Sequence, residues 1–273
     1  MIALVFGLFG LIIGSFLNVV ILRYGKQGIG GRSACPSCGT PLRWFEMFPV
    51  ASWLFLRGRC RTCRARISAQ YPLVELATAL LFAALGAAPF PADILHRMLF
   101  CAIAALLICI FVYDLYHKLI PDLWVYAFDA LALVAMGPIL LAFAPDAPLW
   151  LYLAAGPIAA LPLFALWLVS RGAWMGFGDV KLALGMGWLL GPALGFVAVM
   201  FAFVIGAVVS VGILLPMPAY RRMIARFTPR RSSPLAAAGF TMQSEVPFGP
   251  FLIASCLILW FAFLYNIPVP LIS

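Results

Sequence analysis

Charge is what this chain has least of. Only 10% of its 273 residues are Asp, Glu, Lys or Arg, against roughly a quarter in a soluble domain. That scarcity excludes an ordinary water-soluble fold. The apolar residues, 65% of the chain, recur in runs of about 20, the length that crosses a hydrocarbon core of about 30 Å. Because the runs are continuous rather than alternating, a β-barrel is excluded too. Acids are scarcer than bases, 9 against 18. The bases cluster in loops, so orientation in the membrane accounts for them and no nucleic-acid partner is expected. No internal repeat of fixed period and no low-complexity tract is present. No charge precedes Arg23, so residues 1–22 lack the basic start of a cleavable signal and read as a retained span with its N-terminus outside.

The expected fold is therefore all-α: a polytopic membrane bundle of about eight transmembrane helices, with a small zinc-ribbon-like insertion after the first. Spans are expected near 1–22, 71–85, 94–113, 123–144, 149–170, 180–192, 195–215 and 250–264, the sixth broken by Gly191-Pro192. The chain divides into a first helix (1–22), a cytoplasmic tetracysteine module (23–71) and a remaining bundle (72–273). This topology puts 17 of the 18 basic residues on the cytoplasmic side, with Arg97 the exception. A transporter would more often show paired repeats with helices broken at the midplane. That reading, with the cysteine module as a partner-binding element, is the alternative from another class.

The module holds nine basic residues and one acid, Glu46. Beyond setting topology, they suit contact with acidic membrane lipids. Within it lie Cys35-Pro36-Ser37-Cys38 and Cys60-Arg61-Thr62-Cys63. Two C-x2-C knuckles present four thiolates to a tetrahedral Zn²⁺, turning on small residues such as Gly39. A reducing cytoplasm favours metal over disulfides. Four thiolates fill the coordination sphere, so the expected role is structural. Cys101, Cys109 and Cys256 lie in apolar spans and read as packing groups.

The acids concentrate at one membrane face. Asp179 stands in Met175-Gly176-Phe177-Gly178-Asp179-Val180-Lys181, at the edge of a span. Gly176 and Gly178 leave room for a substrate chain to approach closely. An N-cap is the bland reading of Asp179. Asp114 closes the third span, where the helix dipole disfavours an anion, which points to function. An ionisable residue at such depth is a functional candidate by default. Two carboxylates sharing one proton can hydrolyse a peptide, one as base on water and the other as acid on the carbonyl oxygen. Asp114 and Asp179 are the candidate pair.

Asp122, after Pro121, reads as a helix-start residue or support for the pair. Lys181 reads as a topology charge or a headgroup contact. Asp129, two turns below Asp122, should face the bundle interior or water. Glu75 is expected in the first turn of the second span, as a cap or a functional acid. Ser15 and Asn18 share one face of the first helix, as packing polar groups or part of a groove. Phe248-Gly249-Pro250-Phe251 opens the last span and either turns into it or lines the cavity.

With these residues in their order, the chain resembles the bacterial type IV prepilin peptidases. The resemblance rests on Gly14-Ser15-Phe16-Leu17-Asn18, both cysteine pairs, Leu56-Arg57-Gly58-Arg59-Cys60 and Tyr71-Pro72-Leu73-Val74-Glu75-Leu76. It continues through Asp114-Leu115 with Pro121-Asp122, Gly176-x-Gly178-Asp179-x-Lys181, and Pro247-Phe248-Gly249-Pro250-Phe251. It implies an inner-membrane enzyme that cuts the basic leader of type IV prepilins or type II secretion pseudopilins after a glycine, at the cytoplasmic face. It also implies N-methylation of the new terminus with S-adenosylmethionine. By the resemblance, Asp114 and Asp179 are catalytic, while Gly58 and Glu75 belong to the methyltransferase side, toward the methyl donor. No nucleotide-binding glycine fingerprint is visible. Ala173 and Trp174 stand where the family often has an acid and a glycine, and 232–245 reads as an insertion. A peptidase without methylation is the nearer alternative.

Overall fold

The structure is a computed structural model, and it describes residues 1–25, 28, 30–90, 93–143, 148–214 and 247–268. Asp146, Glu245, Lys26, the five basic residues of the last loop and the 232–245 insertion lie outside the described residues.

The described chain is all-helical apart from isolated bridges. Its longer helices are α1 (Ile2–Arg23), α3 (Gln70–Ala87), α4 (Ile94–His117), α5 (Asp122–Phe143), α6 (Leu149–Ser170), α7 (Phe177–Val209) and α8 (Gly249–Leu264). A five-residue α2 (Ala51–Phe55) lies between α1 and α3. Leu4, Leu8, Ile12, Leu80, Leu161 and Val204 all point outward and are exposed. So much outward apolar surface suits lipid, not water. Among the described residues five helices are long and apolar enough to cross a membrane, and the protein is an integral membrane protein.

At 33 residues, α7 would rise about 50 Å at 1.5 Å per residue, too far for one crossing. Gly191 interrupts it at φ 81°, ψ 172°, just before Pro192. A Cβ on Gly195 would lie 2.7 Å from the Cα of Gly187. In a continuous helix those residues stand about 12 Å apart. The chain therefore reverses at Gly191, and α7 is two crossings packed on each other. With α1, α3, α4, α5, α6 and α8 this makes, among the described residues, the eight membrane helices expected from sequence.

Small residues let these helices touch. A Cβ on Gly10 would sit 2.7 Å from the Cα of Ala79, and one on Gly14 2.7 Å from the Cα of Glu75, so α1 and α3 meet backbone to backbone. Close approach through small residues and polar contacts is how helices associate in lipid. Asn18 Nδ2 donates to the Tyr71 carbonyl at 3.1 Å, and the Ser15 side chain bonds to Glu75. Ser15 and Asn18 thus join α1 to α3. A Cβ on Gly187 would run into the backbone of Ala155 on α6. Gly187→Ala is expected to cost about 1–3 kcal/mol through overpacking, measured as a lower unfolding midpoint in detergent.

Helix ends differ from expectation in two places. α4 runs one turn further, to His117, and stops at Lys118 in the left-handed conformation (φ 51°). Asp114 is therefore inside the helix, four residues before its cap. α3 starts at Gln70, so Glu75 lies in its second turn and does not serve as a cap there.

Candidate active site and metal centre

The ends of four helices converge around two buried carboxylates. Asp114 and Asp179 are 4% and 8% exposed. Asp179 is the third residue of α7, after Gly176 as N-cap. It is buried rather than capping. The two carboxylates lie near enough for their charges to interact. The N–H of Gly249, at the start of α8, donates to Asp114. Two glycines set the spacing. A Cβ on Gly249 would come within 2.5 Å of Asp114 Oδ2, and one on Gly178 within 3.0 Å of Ile120. Ile120 touches both glycine positions, so α8, the α4–α5 turn and the start of α7 close around the pair.

Asp122 and Lys181 form an ion pair at 2.7 Å that ties the starts of α5 and α7. Lys181 Nζ also lies 5.0 Å over the Tyr126 ring. Asp122 is 64% exposed in its side chain, so the pair contributes at most about 1 kcal/mol. Asp129 faces inward at 7% exposure and abuts Gly185. Its Oδ1 has no hydrogen-bond partner among the described residues. Sequence reasoning found Asp129 but not Gly185, and it gave no sign of the Gly249 N–H beyond the Phe-Gly-Pro-Phe stretch.

Away from this cluster, Cys35, Cys38, Cys60 and Cys63 gather with every Sγ within 4.8 Å of the others. The Cys35–Cys63 and Cys38–Cys60 separations are 3.8 and 4.0 Å. A tetrahedron with metal–sulfur bonds of about 2.3 Å has edges of about 3.8 Å, so the cluster fits a zinc ion.

The two knuckles repeat each other. Ala34 bridges Pro41 and Arg59 bridges Arg66. The N–H of Gly39 donates to Cys35 O, and that of Arg64 to Cys60 O. Gly39 and Arg64 are left-handed at φ 69° and 60°. The second knuckle thus turns on an arginine where a small residue was expected. The Thr40 hydroxyl beside Cys38 holds its thiol down at about 6. The N–H groups of Cys63 and Thr62 lower the Cys60 thiol in the same sense. Both favour thiolate, the form a metal binds, whereas at Cys63, against the lowering by the Ala65 N–H, burial and the other three cysteines push the thiol up to about 11.

Gly58, left-handed at φ 64°, lies under the Trp53 ring, which a Cβ there would meet at 2.9 Å. Glu75, 7% exposed, accepts the Val50 N–H at 2.7 Å.

Residues 8–88 match the bacterial peptidase A24 N-terminal domain, and residues 101–211 match the type IV leader peptidase family. A type 4 prepilin-like proteins leader peptide-processing enzyme of Escherichia coli O78:H11 is 36% identical over 67% of this chain and 75% of its own. A prepilin leader peptidase/N-methyltransferase of Aeromonas hydrophila is 35% identical over 76% of this chain and 80% of its own. One from Bacillus subtilis is 32% identical over 81% and 87%. No solved structure matches. Similarity of this extent across both segments means that the chain belongs to the type IV leader peptidase family.

Proposed function

We propose that the protein removes the basic leader of type IV prepilins or type II secretion pseudopilins after a glycine, and then N-methylates the new terminus. The observation that carries this is the buried pair Asp114 and Asp179, on separate helices with interacting charges. The reaction takes place at the cytoplasmic face of the inner membrane, the side on which the basic loops lie. The bundle from 72 onward is the peptidase, and 23–71 is the methyltransferase-associated module.

In the peptidase step, one carboxylate takes a proton from water as the water oxygen bonds to the scissile carbonyl carbon. The other gives its proton to the carbonyl oxygen. When the C–N bond breaks, the departing amine takes a proton back from the pair. The Gly249 N–H steadies Asp114 throughout. Gly176, where a Cβ would meet nothing closer than 3.9 Å, leaves space for the substrate backbone, Gly178 gives its room to Ile120, and the Asp122–Lys181 pair supports the loop beside it.

Cys35, Cys38, Cys60 and Cys63 would hold a structural zinc ion, which when bound closes both knuckles into one unit. Gly58 and Glu75 belong to the methyltransferase side. S-adenosylmethionine is the methyl donor, and the new amine takes one methyl in exchange for one proton.

Membranes containing the protein, given a prepilin and isotopically labelled donor, are expected to yield mature pilin carrying one labelled methyl. A cut but unlabelled product would leave a peptidase alone, and an intact prepilin would sink the peptidase reading, with methylation then judged on a pilin supplied already cleaved. A second outcome follows from the spacing. Gly249→Ala should push Asp114 aside and slow leader cleavage by about 100-fold, the usual consequence of a misplacement near 1 Å. Initial rates at equal enzyme in membranes would measure it.

A further inference from the structure

Glu75 is a buried carboxylate of the bundle that the peptidase step does not use. Its surroundings are specific. Its Cα lies at one of the points where α1 and α3 meet backbone to backbone, against Gly14. One hydrogen bond comes from the Ser15 side chain of α1. The other comes at 2.7 Å from the backbone N–H of Val50, outside the bundle.

Val50 is an unusual residue to find there. It has φ 58° and ψ −50°, and the Ala51 N–H donates to the Pro49 carbonyl across it. That is a γ-turn of the rare, strained hand, centred on a β-branched residue for which positive φ is an outlier. Such a conformation persists only where its surroundings over-determine it, and the Glu75 carboxylate supplies a charge-assisted acceptor for the residue at its centre.

From this turn, contacts lead straight to the cysteines. α2 begins at Ala51, and its Trp53 covers Gly58 and donates from Nε1 to the Ile67 carbonyl at 3.3 Å. Ile67 N–H donates to Gly58 O at 2.8 Å, next to the bridge that frames Cys60. Glu46, just before the turn, pairs with Arg61 at 3.1 Å.

We infer that Glu75 is a positioning residue: by holding the Val50 turn it fixes the tetracysteine module against α1 and α3, and methylation depends on that fixed placement rather than on contact between Glu75 and the reactants. The dependence of methylation rests on the methyltransferase reading above, whereas the latch itself does not.

The test uses the full chain in membranes, as wild type, Glu75→Ala and Glu75→Gln. Hydrogen exchange is followed in peptides covering 48–56, alongside metal content, leader cleavage and methylation of an already cleaved pilin. Losing a hydrogen bond to a charged group should speed exchange at the turn by about 10–100-fold in Glu75→Ala, with methylation falling in parallel and cleavage and metal content kept. In Glu75→Gln the amide oxygen still accepts the Val50 N–H, so both readouts should return near wild type.

Unchanged exchange in Glu75→Ala would overturn the latch. A protected turn in Glu75→Gln with methylation lost would overturn positioning and place the charge against the reactants. Faster exchange with methylation intact would overturn the dependence. Wild-type protein without methylation would refute the methyltransferase reading, and exchange would still judge the latch.

Discussion

Asp179→Asn, and separately Asp114→Asn, should each reduce leader cleavage by at least about 1,000-fold, within the range a positioned acid or base supplies. Asparagine keeps the size and removes the proton exchange. Each residue is buried, so the amide meets the same walls, and insertion and folding should persist. The two losses should be alike, because either residue alone leaves the reaction without a base or without an acid. Methylation of a pilin supplied already cleaved should continue in both variants. Cleavage products separated by mass after timed digestion in membranes would measure this. Substantial cleavage by either variant would remove that residue from the mechanism and turn attention to Asp122.

The second large effect is expected at the cysteines. Cys38→Ser or Cys63→Ser should lose the bound metal and, with it, nearly all methylation, while leader cleavage survives. Among its described residues, the segment between α1 and α3 holds only two isolated bridges, a 3-10 turn and the five-residue α2. So little structure cannot bury the core that a small domain needs. Structural zinc contributes about 10–16 kcal/mol to comparable modules, far more than any other contact in this one. Exhaustive chelation should reproduce the serine phenotype, and restored zinc should reverse it. Metal content by elemental analysis, paired with both activity assays, separates the outcomes. Equal loss of cleavage and methylation would show that the module also supports the peptidase.

Much of this was legible because lipid imposes simple rules on sequence. Continuous apolar runs marked the helices, and Gly191-Pro192 marked the reversal within α7. Regular spacing made the four cysteines readable as a single cluster. What stayed hidden depends on three-dimensional contact. The polar stretch from Leu115 to His117 reads as loop, yet α4 continues until Lys118 adopts its left-handed cap. Gly249 lies 135 positions from Asp114, and only the fold brings its N–H to that carboxylate. Sequence gave Glu75 a place in the first turn of α3 but could not show that its partner would be a backbone N–H 25 residues upstream. Arg64 in a left-handed turn is the same kind of case, since the knuckle geometry overrides the usual preference for glycine.

The reversal at Gly191 has a consequence for how the bundle meets lipid. The half of α7 that contains Asp179 runs only from Phe177 to Leu190, a rise of about 21 Å, short of a hydrocarbon layer of about 30 Å. No residue from Asp179 to Leu190 is exposed, so neighbouring helices rather than lipid surround this half. A helix sheathed in protein does not have to match the thickness of the membrane outside the bundle, so its short length incurs no mismatch with lipid.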